Sequence, residues 1–128
     1  MGERINSAKD LRVYQAAYKL AMEIFRLSKD WPAEEKYSLT DQIRRSSRSV
    51  CANLREGWSK RRYEAHFVSK LTDADGENGE IGTWLDFARD CDYLTHADHG
   101  RLAEECQEVG AMLGTMIKDP SSFLVKTP

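Results

Sequence analysis

The chain has 128 residues, of which 41% are hydrophobic and 31% are charged, a balance typical of a water-soluble helical domain and not of a disordered chain. Its formal net charge of −2 excludes the basic composition of proteins that bind nucleic acid or anionic membranes over their whole surface, so such binding requires a local patch. Three widely spaced cysteines, no apparent leader and no apolar run of membrane-spanning length predict one cytoplasmic domain over residues 1–128.

The first predicted helix covers about residues 10–29. Asp10 is a suitable residue to cap its start. Apolar residues then recur at spacings of three and four, which indicates an amphipathic helix: Leu11, Tyr14, Ala17, Tyr18, Ala21, Ile24, Phe25 and Leu27. The sequence Asp-Trp-Pro at 30–32 ends this pattern, because proline disfavours the helical conformation of the residue before it.

The second predicted helix, at about residues 34–57, has three faces. An apolar and small-residue face suits a bundle core: Leu39, Ile43, Ser46, Ser47, Val50 and Leu54. A second face is basic: Arg44, Arg48 and Arg55. A third row has small residues between opposite charges: Arg45, Ser49, Ala52 and Glu56. Gly57 suits the position just past the helix end, where a positive φ is common.

The third predicted helix, at about residues 63–94, follows a short basic link. Its core row alternates steps of four and three: Phe67, Leu71, Ala74, Asn78, Ile81, Leu85 and Ala88. Three glycines lie inside it, and we expect them to allow close packing: Gly76, Gly79 and Gly82. Near its end the apolar arc widens beyond what one core needs, which predicts a second packing partner: Trp84, Phe87, Cys91 and Leu94.

A turn at 95–100 leads to the fourth predicted helix, at about residues 98–118. Its apolar residues repeat at helical spacing: Leu102, Cys106, Val109, Met112, Leu113, Met116 and Ile117. The tail at 123–125 is apolar for a terminus, so we expect it to dock. Four amphipathic helices joined by short links predict an all-α, up-down-up-down antiparallel four-helix bundle.

Three groups of side chains have atoms that suit metal binding or catalysis. A thiol, two imidazoles and a carboxylate offer metal ligands, but their spacing matches no closed zinc motif and a polar turn explains them: Cys91, His96, Asp98 and His99. The acids of the third helix lack the Glu-x-x-His motifs of bundle di-metal sites and suit a solvated or salt-bridged face: Asp73, Glu77, Glu80, Asp86 and Asp90. The serines at 46, 47 and 49 have no histidine base nearby. We therefore expect neither enzyme activity nor a cofactor.

The run QIRRSSRSVCANLREG at 42–57, with DLRVYQAA upstream and GTWLDFARDCDYL downstream, resembles small bacterial four-helix-bundle proteins often encoded by intervening sequences in large-subunit ribosomal RNA genes. The resemblance spans residues 10–117 and is most specific at six positions: Gln42, Arg45, Ser49, Asn53, Glu56 and Gly57. It departs around Asn78, where a polar residue occupies the core row.

Those proteins have no established activity, and they are similar in turn to accessory proteins of diversity-generating retroelements. The latter form basic pentameric barrels that engage a reverse transcriptase and nucleic acid. The resemblance therefore implies a homo-oligomer, with a pentamer favoured, and it makes RNA, DNA or a nucleic-acid enzyme a candidate partner.

Two surfaces are predicted to serve these roles. The subunit interface combines the third row of the second helix with the surplus apolar arc: Arg45, Ser49, Ala52, Asn53, Glu56, Trp84, Phe87 and Leu94. Arg45 and Glu56 lie about 16 Å apart along their helix, so we expect each to find its partner in a neighbouring subunit. The second surface, here called the basic stripe, is predicted to contact phosphates: Arg44, Arg48, Arg55, Lys60, Arg61 and Arg62.

The basic stripe has a simpler interpretation, in which its arginines are solvated or pair with acids of the third helix. Between Arg44 and Arg55 the sequence also has no aromatic residue for base stacking. The function that we predict is a non-catalytic, self-assembling binding or scaffolding module, and the alternative is a nucleic-acid-binding accessory protein that uses the basic stripe.

Overall fold

The computed structural model describes residues 5–126, and all regular structure in that part of the chain is helical. The fold has four long helices: α1 (Arg12–Ser28), α2 (Asp41–Ser59), α3 (Glu64–Asp90) and α4 (His96–Lys118). Short turns flank or join them: the 3-10 turns Ala8–Asp10, Ala33–Glu35 and Ser121–Phe123, and the π-helical turn Lys36–Thr40. The predicted all-α class is confirmed.

Each helix runs antiparallel to its neighbours. Contacts at each seam join the later part of one helix to the first turns of the helix beside it. The four seams show this: Ser28 to Arg44 at 2.8 Å, Glu80 to Ser46 at 3.3 Å, Asp86 to His99 at 2.9 Å, and Glu23 to Arg101 at 2.6 Å. The last contact joins α4 to α1, so the four helices enclose one core. The predicted up-down-up-down bundle is confirmed.

The core is formed largely by the predicted inward rows of α2, α3 and α4. The row predicted for α1 is partly wrong, because it omitted buried Val13 and Leu20 and included Tyr18, which is 55% exposed. All seven positions of the α3 row are buried, and so are all six apolar or small positions of the second predicted helix. Burial of aliphatic side chains at about 25 cal/mol per Å² is the main driving force for this arrangement. The largest fully buried side chains come from all four helices: Phe67, Leu20, Ile24, Ile43, Leu54, Leu71, Ile81, Leu85, Leu102, Leu113, Val50 and Val109.

The start of α1 differs from the prediction because Asp10 serves the preceding turn. Its Oδ2 accepts hydrogen bonds from the amides of Asn6 at 2.8 Å and Ser7 at 3.1 Å. Leu11 then has an extended backbone, and α1 begins at Arg12 without a side-chain cap. Asp10 therefore stabilises the 3-10 turn and does not cap the long helix.

The prediction that α2 ends at Gly57 is wrong. The helix continues to Ser59, and no glycine in the described residues has a positive φ. A Cβ atom at Gly57 would lie 3.1 Å from the Cβ of Lys70. Gly57 is therefore required for the close approach of α2 to α3 and not for a left-handed turn.

The three glycines of α3 do not have the predicted role within the bundle. A Cβ atom at Gly76, Gly79 or Gly82 would meet nothing within 4 Å apart from the helix's own backbone. These positions face open space in the single chain. Packing within the chain therefore does not compensate for the low helix propensity of glycine.

The predicted end of α3 at residue 94 is also wrong, since the helix ends at Asp90. Asp92 has a φ of 63°, in the left-handed region that aspartate tolerates better than most residues. The amides of Tyr93 and Leu94 turn back to the carbonyl of Ala88 at 2.8 and 3.3 Å. These bonds satisfy helix-end carbonyl groups and bring Leu94 into the core.

α4 begins at His96, two residues before the predicted start. The Oγ1 of Thr95 accepts a hydrogen bond from the amide of Asp98 at 3.0 Å, which is the geometry of an N-terminal cap. The predicted turn at 95–100 is therefore mostly the first turn of α4. None of the helices in residues 5–126 combines the length and apolarity that crossing a bilayer requires.

Candidate functional site

Arg44 of the basic stripe packs α2 against α1. Its Nε donates to the Oγ of buried Ser28 at 2.8 Å, and its guanidinium lies 4.9 Å from the centre of the Phe25 ring. Guanidinium stacking on an aromatic ring is favourable and fixes the side chain. Arg44 therefore has a structural role that its helical position did not reveal.

Arg61 holds the C-terminal segment to the bundle. Its guanidinium lies 3.6 Å from the Trp58 ring centre and donates to the carbonyls of Trp58 at 2.8 Å and Phe123 at 3.3 Å. Partial burial lowers the pKa of Arg61. The amide of Val125 donates to the Arg61 carbonyl at 3.2 Å, and the rings of Phe67 and Phe123 are 6.3 Å apart. The predicted docking of the tail is confirmed.

Four residues of the basic stripe remain exposed: Arg48, Arg55, Lys60 and Arg62. Within residues 5–126, none of the four forms an ion pair. The interpretation that the stripe pairs with acids of α3 is therefore not met in the single chain. Arg48 and Arg55 are two helical turns apart on the side of α2 that faces α1.

The structure places aromatic rings beside these two arginines, although the sequence separates them. Tyr14 and Tyr18 of α1 line a groove with Arg48 and Arg55 of α2, and the groove has a volume of about 420 Å³. The two tyrosine rings are stacked, with centres 6.3 Å apart and planes 24° from parallel. Tyr18 was predicted to lie on the apolar face of α1, but it is 55% exposed. We name these four residues the tyrosine–arginine groove.

Burial raises the pKa of Tyr14, the neighbouring thiol of Cys51 adds to the rise, and the charge of Arg55 opposes it. Tyr14 and Arg55 line the same groove at the α1–α2 seam. The only sequence signal for it was the pair of tyrosines one turn apart, and that spacing gives no information about which helix lies opposite.

The charged residues of the predicted subunit interface have partners within the chain. The Nζ of Lys70 lies 2.7 Å from the Oε2 of Glu56, and this bond lowers the pKa of Glu56 and raises that of Lys70. Arg45 lies 3.7 Å from the Oε1 of Glu80. The prediction that Arg45 and Glu56 must find partners in a neighbouring subunit is therefore wrong, because α3 supplies them.

Asn53 was also predicted to lie in the subunit interface. Its amide instead donates within α2, to the carbonyl of Ser49 at 3.0 Å and to the Ser49 hydroxyl at 3.1 Å. Ala52 is exposed and also borders the groove lined by Arg48 and Arg55, and Ser49 is half-buried. Assignment of this row to an interface stays a prediction, supported by side-chain size and not by unmet charge.

The two aromatic residues of the surplus arc lie on α3 beyond the Arg45 end of this row. Arg45 contacts Glu80, and Trp84 follows Glu80 by one helical turn on α3. The Trp84 and Phe87 rings are 6.1 Å apart, and Phe87 is 55% exposed. Leu94 was assigned to the same arc, but it lies beyond the end of α3 and is buried in the chain's own core.

Asn78 joins α3 to α4 at a buried position. Its Nδ2 donates to the carbonyl of Cys106 at 2.9 Å, and the Cys106 thiol donates to the Asn78 carbonyl at 3.3 Å. A Cβ atom at Gly110 would lie 3.3 Å from the Asn78 Nδ2, so a small residue is favoured there. The polar residue on the core row therefore has hydrogen-bond partners, as buried polar groups require.

One histidine near the α3–α4 connection, His99, has a partner on α3. The Nε2 of His99 lies 2.9 Å from the Oδ1 of Asp86, and Cys91 is exposed. In the described part of the chain, no three His, Cys, Asp or Glu side chains are grouped closely enough to hold a metal ion.

Comparison with known proteins identifies the family. The family model of the 23S rRNA-intervening sequence protein matches residues 9–115. The chain is also similar to a solved protein of unknown function from the S23 ribosomal protein family of Bacteroides thetaiotaomicron, with 29% identity and a TM-score of 0.74, over 83% of this chain and 95% of that one. No protein with a curated description matches the chain. Since the family match covers most of its length, the chain belongs to the 23S rRNA-intervening sequence protein family.

Proposed function

We propose that this protein is a non-catalytic, self-assembling scaffold or binding module, with a pentamer as the expected assembly. The observation that supports it is the surface formed by the outer row of α2 and the aromatic pair of α3. Phe87 is 55% exposed and lies beside Trp84 on α3. Ser49 and Ala52 are small residues on the surface of α2. Exposed aromatic side chains suit the centre of a protein interface, and small residues allow a second helix to approach closely.

The assembly is tested by measuring particle mass with light scattering for the untagged protein at micromolar concentration. Ser49→Arg and Phe87→Arg are each expected to leave a smaller particle, because each introduces a bulky charge into the proposed contact. Ala111→Arg is the matched control, since Ala111 is exposed on α4 and lies outside this surface. A monomeric parent protein, or equal effects of all three variants, would contradict the proposal.

A second candidate function is nucleic-acid binding by the exposed part of the basic stripe. The specific observation in its favour is that Arg48 and Arg55 are exposed, form no ion pair within residues 5–126 and lie beside two tyrosines. The assignment of Arg44 and Arg61 to internal contacts reduces the stripe to four cations, so this candidate requires fewer phosphate contacts than the sequence suggested.

The salt dependence of oligonucleotide affinity tests this second function. Each phosphate contact contributes about −0.7 to −0.9 to the slope of log K against log salt, because bound cations are released. Replacing both Arg48 and Arg55 with Gln is expected to flatten that slope by about two contacts. Lys118→Gln removes an exposed charge of α4, outside the groove, and serves as the control. Absence of binding at low salt would exclude the function.

A further inference from the structure

The tyrosine–arginine groove combines flat rings with positive charge at one seam of the bundle. Tyr14 and Tyr18 stack on each other along α1, and Tyr18 is 55% exposed, which leaves its outer face open. A base or other planar ring can extend such a stack at about 1 to 3 kcal/mol per base.

The charges of the groove favour an anionic ligand. Arg48 and Arg55 are exposed, and none of the described residues that line the groove is acidic. The cleft at the seam on the other side of α2 has the opposite charge, since three carboxylates line it: Asp73, Glu77 and Glu80. A polyanion is therefore attracted to the α1 side of α2 and repelled from the α3 side.

The combination of rings and guanidinium groups selects among anions. A free phosphate requires no aromatic surface, and a duplex hides the faces of its bases within its own stack. A single strand offers both unstacked bases and regularly spaced phosphates. Arg48 and Arg55 are about 10 Å apart along α2, so they reach different phosphates of one strand.

From these observations we infer that the tyrosine–arginine groove binds single-stranded nucleic acid, with a base stacked on Tyr18 and the phosphates held by Arg48 and Arg55. This inference rests on the second candidate function and adds the strand type, the place and the stacking residue. Neither a tyrosine ring nor a guanidinium group distinguishes bases strongly, so the expected binding tolerates different sequences.

The test is fluorescence anisotropy of the full-length protein with four labelled probes of equal length: single-stranded RNA, single-stranded DNA, an abasic single strand and a duplex. The intact single strands are expected to bind more tightly than the abasic strand, which has the same phosphates and no bases. Tyr18→Leu is expected to weaken the binding of intact strands by about 5- to 150-fold, which corresponds to the loss of one stacked base. The affinity for the abasic strand is expected to stay unchanged. Tyr37→Leu is the control, because Tyr37 is 75% exposed and lies outside the groove.

The outcomes separate this inference from the function on which it rests. If Tyr18→Leu binds intact strands like Tyr37→Leu while Arg48→Gln still flattens the salt slope, nucleic-acid binding stands and the stacking groove is refuted. If no probe binds at low salt, both fail. If Tyr18→Leu instead reduces the particle mass and no probe binds, the groove contacts a second copy and the inference is overturned. Tighter binding of RNA or of DNA shows which of the two is preferred and supports the inference as long as the abasic difference holds.

Discussion

Replacement of single glycines by alanine tests the packing of the bundle most directly. Gly57 and Gly79 both lie inside long helices, but only Gly57 is in close contact with a neighbouring helix. Alanine in a helix interior is favoured over glycine by about 0.8 to 1.0 kcal/mol. Nothing lies within 4 Å of a Cβ at Gly79, so Gly79→Ala is expected to stabilise the fold by about that amount.

An alanine at Gly57 would bring its Cβ atom against α3, close to the backbone of that helix. Its Cβ would lie 3.1 Å from the Cβ of Lys70, and that atom cannot rotate away as the end of a flexible side chain does. The α2–α3 seam must open slightly, and overpacking of this kind costs about 1 to 3 kcal/mol. Subtracting the gain in helix propensity leaves Gly57→Ala destabilised by about 0 to 2 kcal/mol.

Thermal and urea unfolding, followed by circular dichroism at one fixed protein concentration, measure both variants. For a chain of this size, 1 kcal/mol shifts Tm by about 3 to 5 °C, so the two alanines are expected to move Tm in opposite directions or to differ by several degrees. Equal stabilisation by both would refute the close α2–α3 contact. A loss of stability from Gly79→Ala with a smaller particle would show that another copy packs against the glycine face of α3.

Three further changes test individual contacts. Asn78→Ala removes a buried hydrogen bond and leaves a small cavity, and is expected to lower the free energy of unfolding in urea by about 1 to 3 kcal/mol. Burial raises the pKa of Cys51 from its usual 9.0 to about 11, so at pH 8 mass spectrometry should show iodoacetamide on exposed Cys91 and little on Cys51. Because that pKa is raised on folding, the contribution of this thiol to stability is present below pH 9 and is lost as the pH approaches 11. Arg61→Ala is expected to speed amide hydrogen exchange in residues 121–125, whereas Arg62→Ala is not, and equal protection in both would refute the role of Arg61 in docking the tail.

The sequence by itself determined the fold class and most of the inward rows of α2, α3 and α4, but not the row of α1, where the unpredicted Val13 and Leu20 are buried. The α3 row predicted from spacing alone is buried at every position, including Asn78. The α3 row can be predicted from spacing because helical periodicity decides which residues share a face. Burial of that apolar face then outweighs the helix propensities of individual residues. The short links between helices then leave antiparallel packing as the simple arrangement.

The functional surfaces were predicted less well, because a helical wheel does not show what lies opposite each face. Arg44 and Arg48 are one turn apart and look equivalent in the sequence, yet only Arg44 meets the hydroxyl of Ser28. Glu56 appeared to need a partner in another subunit, but Lys70 reaches it from α3.

Helix ends and glycines were also decided outside the local sequence. Gly57 resembles a helix terminator, yet the close approach of α3 makes it an interior contact position. Tyr18 falls on the predicted apolar face, yet no helix covers it, and the α1–α2 seam places it beside Arg48. Spacing fixes the angle of a side chain around its own helix, whereas contacts across a seam depend on the register and separation of two helices, which only the packed core determines.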